Sequence, residues 1–167
     1  MKTLLILRHG QAEGHAPGGD KERTLTERGE REAASVADRI LEIFGCPDLI
    51  VASDATRARQ TARIVAAVVG YPVEIETQGA IYEAGLKTLL SAVRRLPESA
   101  GNVLLVGHNP GLEMLARVLD AEAAVPAPLP TAGMVPLRLE TTRWEDVRPH
   151  TGRRIPMTPN LTQSKGM

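Results

Sequence analysis

The stretch Met1-Lys-Thr-Leu-Leu-Ile-Leu-Arg8-His9-Gly10 constrains this chain more than any other. Leu4 to Leu7 is a continuous apolar run, the pattern of a strand buried on both faces of a parallel sheet. It stops at a cation, an imidazole and a glycine. In open α/β sheets, ligands bind in the crevice beyond the carboxyl ends of the strands. Arg8 and His9 therefore emerge where a substrate would sit, and Gly10 is expected to let the backbone turn there without steric penalty. Three residues do not decide the matter, because an arginine after a strand is commonly an ordinary solvated end.

The remainder of the chain narrows the choice. Its 167 residues fit one domain, expected over 1–155, with a tail over 156–167 that has little to bury. Apolar residues make up 43 % but aromatics only 2 %, so the core is built from Leu, Val, Ile and Ala. Lys+Arg and Asp+Glu both number 20, a balance that points to neither a nucleic-acid nor a membrane partner. A single cysteine, Cys46, excludes an internal disulfide, and the four scattered histidines do not make a structural zinc site. The amino-terminal apolar run is too short for a signal peptide, and no stretch could span a bilayer. The expectation is a soluble cytoplasmic protein, compatible with a monomer.

Taken in order, Gln11 to Thr24 is a long Gly-, Pro- and charge-rich loop, a kind that is often functional. Thr26 reads as the N-cap of a helix whose apolar face is Ala33, Val36, Ala37, Ile40, Leu41 and Phe44. A second buried strand, Leu49 to Ala52, leads into Ser53-Asp54, either of which can cap a helix with Ala58, Ala62, Val65 and Val69 on its face. Arg57 falls near the first turn, where the helix dipole disfavours a cation. A bound anion would resolve the conflict; so would a surface pairing with Asp54 or Glu83. Further on come a short strand at Val73–Thr77, a loop, a helix at Thr88–Leu96 and a third apolar strand, Val103 to Val106. That strand ends in Gly107-His108-Asn109-Pro110-Gly111, with Asn109 as N-cap and Pro110 as first helical residue before Leu112, Leu115, Ala116 and Leu119. Ala121 to Pro130 is a semi-rigid loop. Met134 to Leu139 alternates as a strand that Pro136 confines to an edge or a bulge, and Trp144 is expected at the edge of the core.

Three units share one design: apolar strand, polar residue at its carboxyl end, helix. They deliver Arg8 and His9, then Arg57, then His108. Parallel strands joined by right-handed crossovers bring these ends to one edge of the sheet. Two guanidiniums and two imidazoles there seek an anion, and with no acidic cluster to balance them a hard divalent metal is not expected. The ligand should be a phosphoryl group.

At this point the chain resembles the histidine phosphatase superfamily, and within it the SixA-type phosphohistidine phosphatases. The resemblance rests on Arg8-His9-Gly10, Asp20 to Gly29, Ser53 to Ala62, Gly107 to Gly111 and Pro130 to Gly133, in the family's order over roughly residues 1 to 140. It implies a phosphoglycerate mutase-like fold, a three-layer α/β/α sandwich on a mostly parallel sheet with an edge strand. It also implies His9 as nucleophile, with Arg8, Arg57 and His108 holding the phosphoryl oxygens, and no cofactor. Glu83 lies about where superfamily members that cleave alkyl phosphates carry a general acid; it could equally pair with Arg57 or be an exposed loop carboxylate. Only a short stretch, Glu83 to Ala100, is available to roof the site, which favours a phosphorylated protein over a small phosphate ester as substrate.

Overall fold

The run after Met1 forms strand β1, Lys2–Arg8, and its alternating side chains divide the core in two. Leu4 and Ile6 join one apolar cluster, Leu5 and Leu7 the other, and none is more than 1 % exposed. Such a strand needs helices over both faces of its sheet. A computed structural model describes residues 1–123 and 128–157. Part of the Ala121–Pro130 loop, and the expected tail from position 158 onward, lie outside the described residues.

Five further strands complete the sheet: β2 (Leu49–Ser53), β3 (Glu76–Gln78), β4 (Asn102–Gly107), β5 (Met134–Leu139) and β6 (Gly152–Arg154). Their order is β3-β2-β4-β1-β5-β6. The first four are parallel, while β5 runs antiparallel to β1 and β6 antiparallel to β5. Helices α1 (Glu27–Phe44) and α2 (Thr56–Val69) bury Val36, Ile40, Ala58 and Val65 against one face. Helices α3 (Leu86–Arg94) and α4 (Gly111–Leu119) bury Leu89, Val93, Leu112 and Leu115 against the other. The result is the expected three-layer sandwich, and among the described residues no helix is long and apolar enough to cross a membrane.

Several local expectations are corrected. Strand β5 is not an edge, because β6 pairs with it. Pro136 is tolerated there because its carbonyl accepts from the Ile155 N–H, just past β6. Its nitrogen therefore faces the side where the ladder runs out, and no bond to β1 is lost. Leu41 is 45 % exposed and lies off the buried face of α1. Thr26 does cap α1, accepting from the Gly29 N–H, but α2 is capped by neither Ser53 nor Asp54; its N-cap is Ala55. Helix α4 begins at Gly111 after an N-cap Pro110, and the Asn109 side chain instead donates to the Leu129 carbonyl. The third strand of the chain is Glu76–Gln78, later than expected, and α3 begins earlier, at Leu86. Trp144 is fully buried, with its indole N–H donating to the Ala100 carbonyl.

One contact fixes how the sheet edge meets α1. A Cβ on Gly29 would lie 2.0 Å from the Gln11 carbonyl oxygen, and one on Gly10 would lie 2.5 Å from the Gly29 carbonyl oxygen. Gly10 does not have a positive φ. It is needed for backbone-to-backbone approach, not for the turn the sequence suggested. Gly29→Ala is expected to cost about 1–3 kcal/mol by overpacking. A lowered Tm together with lost activity would check this; an unchanged melting curve would contradict it.

Candidate active site

The parallel strand ends gather the expected residues. Arg8, His9, Arg57, His108 and Glu83 line one cavity of about 360 Å³, together with Gln11, Asp20, Arg23, Asn109 and Thr131. His9 and Arg57 are 7 % and 4 % exposed, so the reactive groups sit in the cavity floor.

His9 is oriented by its own backbone. Its Nδ1 lies 2.7 Å from the Gly10 carbonyl, which can only accept, so Nδ1 carries the proton and Nε2 the lone pair. That lone pair accepts from Arg57 Nε at 3.3 Å. Burial, opposed by the bond to Gly10 and reinforced by Arg57, Arg8 and Arg23, pushes its pKa down to about 4. The ring is neutral at pH 7, as an attacking imidazole must be. Below it, the Gly10 N–H donates to Thr61 Oγ1, which donates onward to the Arg57 carbonyl. Strand end and α2 are thus tied together beneath His9.

His108 stands beside it, with ring centroids 5.2 Å apart. Its Nε2 lies 2.8 Å from Ser53 Oγ. Ser53 is fully buried and its oxygen already accepts from the Ala55 N–H. Its hydroxyl proton has only His108 Nε2 to go to among the described residues, which leaves the ring proton on Nδ1. Nδ1 is buried without a partner, as is Arg8 Nε. An unpaired buried donor is costly, and a phosphoryl oxygen would satisfy both. Burial first, then His9 and Arg57, lowers the His108 pKa to about 3.

Arg57 pairs with neither Asp54 nor Glu83. Its Nη1 donates to the Asp20 carbonyl at 2.8 Å and its Nη2 to Asp20 Oδ2 at 3.2 Å. Asp54 is held by Lys21 instead. Asp20 is the site's main surprise, a carboxylate that the sequence did not place in this pocket, where only Glu83 was considered. It also bonds the Tyr82 hydroxyl and, at 3.0 Å, Arg23. The Tyr82 bond first, then Arg57 and Arg23, holds its carboxyl below the usual range, while Asp20 raises the Tyr82 hydroxyl. Gly19, with φ of 104°, sets the loop that presents Asp20, a conformation open essentially to glycine alone. Glu83 is exposed on the rim, with a φ of 51° and no partner for its carboxylate among the described residues.

Sequence reasoning did not single out Ser53, Thr61, Asp20, Arg23 or Tyr82 as site residues. Asp20 and Arg23 carried a signal, since both fall in the run Asp20 to Gly29 on which the resemblance rests; the others act only through contacts across the sheet.

Chemically, the arrangement offers a neutral nucleophile and donors on several sides of it. Were His9 Nε2 to attack phosphorus, Arg57 Nε would be released to a phosphoryl oxygen. With the proton kept on Nδ1, such a ring would be positively charged while phosphorylated and would depart neutral on displacement by water. Among the described residues there is no group of three His, Cys, Asp or Glu that could hold a metal ion.

Comparison with known proteins agrees with this geometry. The sequence profile of the histidine phosphatase superfamily (branch 1) matches residues 4–85. An uncharacterized protein of Mycobacterium tuberculosis is 30 % identical over 151 residues, covering 86 % of this chain and 92 % of its own. A structure from Agrobacterium tumefaciens assigned as the phosphohistidine phosphatase SixA is 34 % identical, with a TM-score of 0.75 over 83 % of this chain and 92 % of that one. Another so assigned, from Nakamurella multipartitia, is 25 % identical with a TM-score of 0.77, over 92 % and 93 %. Strand end, cavity and likeness over most of its length agree: the chain belongs to the histidine phosphatase superfamily.

Proposed function

We propose that this chain, a phosphatase by family, removes the phosphoryl group from phosphohistidine on a protein through a phosphorylated His9, without a metal ion. The observation that carries the reading is the fixed tautomer of His9, with Nδ1 on the Gly10 carbonyl and Nε2 facing a cavity of cations. Arg8, Arg57 and the His108 Nδ1 proton would take the phosphoryl oxygens, which is positioning plus charge stabilisation. Phosphohistidine can take up a proton on its other ring nitrogen before the P–N bond breaks, and so asks little of a general acid. Access supports a protein substrate: α3 spends Leu89 and Val93 on the core beside α4 and does not arch over the site.

A second reading, a phosphomonoesterase for small molecules, is favoured by one observation, the unpartnered Glu83 carboxylate on the rim. A binding module without turnover has less in its favour, because the His9 Nε2 lone pair points into the cavity with only a 3.3 Å bond from Arg57 Nε on it. The test compares phosphate release from a phosphohistidine protein and from an alkyl phosphate, in the native chain and in Glu83→Gln. Phosphohistidine should turn over faster, with Glu83→Gln reducing only the alkyl reaction, by about 10²–10⁴-fold. Faster turnover of the alkyl phosphate would move the assignment to the second reading, and no release from either would leave the binding module.

A further inference from the structure

A second cavity, of about 630 Å³, lies next to the first and shares Thr131 with it. Its walls are α1, the segment 129–135 and the end of β6, and its charged residues are Arg28, Arg31, Arg39, Arg154 and a single acid, Glu32. Glu32 is already engaged, accepting from the Gln11 N–H and from Thr131 Oγ1. Arg28 lies within 3.8 Å of it. Arg31 and Arg39 form no ion pair among the described residues; Arg39 reaches only the Met157 carbonyl. A chain with zero net charge thus places an excess of guanidinium along one groove that opens beside the nucleophile.

We propose that this groove binds an acidic segment flanking the phosphorylated residue of a protein substrate. The inference rests on the protein-phosphohistidine reading above and adds what the substrate must carry. Arg28 and Arg39 are eleven positions apart on α1, which at the helical rise is about 16 Å. An extended peptide covers that length with roughly five residues. A segment leaving the His9 cavity at Thr131 would run along the arginines, and carboxylates on it would meet them. Charges of this kind on an exposed groove act on encounter and choice of partner more than on chemistry. They are also screened by salt.

The experiment uses the full chain and three fluorescent probes, read by anisotropy. Two are peptides carrying a non-hydrolysable phosphohistidine analogue, one flanked by five glutamates and the other by five lysines. The third is a single-stranded oligonucleotide. The glutamate peptide should bind about tenfold or more tightly than the lysine peptide. The double variant Arg31→Glu, Arg39→Glu should erase that preference, and added salt should narrow it in the native chain. In turnover, the variant should raise KM for an acidic phosphohistidine protein at unchanged kcat, and leave a small phosphoramidate untouched. Equal binding of the two peptides, or a preference that survives the double variant, overturns the proposal. So does tighter binding of the oligonucleotide with the same dependence on Arg31 and Arg39, which would make the groove a nucleic-acid site. Failure of the underlying reading has a different signature: the peptides are discriminated, yet phosphohistidine protein is never hydrolysed.

Discussion

His9→Ala is expected to reduce phosphate release to the uncatalysed rate, and to abolish the phosphoenzyme that acid-free quenching of the native chain should trap. No neighbouring group can take over. His108 has its Nε2 committed to Ser53 and carries its proton on the nitrogen facing away from that bond. Residual turnover within tenfold of native would mean that water attacks directly. The same geometry sets the pH dependence. The active form of His9 is neutral and its pKa is pushed down to about 4. The acid limb of kcat/KM, which reports the free enzyme, should therefore fall well below pH 6 when read with an aryl phosphate. Stability moves the same way: buried His9 and His108 bind protons more weakly than they do in the unfolded chain. As pH falls from about 6.5 toward 4, the unfolded chain holds more protons, and the fold loses stability over that window. A limb near 6.5 would show that His9 is not held neutral.

Arg57→Met should lower kcat/KM by about 10²–10³, the cost of losing one preorganised charge-stabilising donor. The side chain is buried and its fork is fully used, Nε on His9 and both terminal nitrogens on Asp20. Lysine at this position should recover little, because a single ammonium cannot reproduce three directed donors. The variant carries a second, independent readout. Arg57 is one of the cations lowering the His9 pKa, so its removal should move the acid limb upward. The shift should stop short of 6.5, because burial is the larger cause and remains. A loss of activity with the limb unmoved would reduce Arg57 to a structural role.

The parts of the site that could be read from the chain are those next to a buried strand. Leu4–Leu7 and Val103–Val106 can hardly be anything else, and Arg8, His9 and His108 follow them directly. Arg57 was legible because it sits in the first turn of a helix that follows such a strand. Asp20 was not, because it enters the pocket from a loop whose path depends on Gly19 and on Tyr82, sixty-two positions away. Ser53 looked like a helix cap because local rules favour that role; its hydroxyl is taken by His108 from the neighbouring strand. Strand β6 has no apolar pattern of its own, and exists by completing the outer side of β5.

The pairing of β1 has a consequence for how the protein is made. Thr3 finds its parallel partner at Asn102, and its other neighbour, β5, begins only at Met134. Translation adds about 5–20 residues per second, so the first strand waits roughly 5–20 s before its nearer partner has been synthesised. Through that interval a segment of four fully apolar residues, Leu4 to Leu7, has nothing to pair with, and His9 just beyond its end has no pocket.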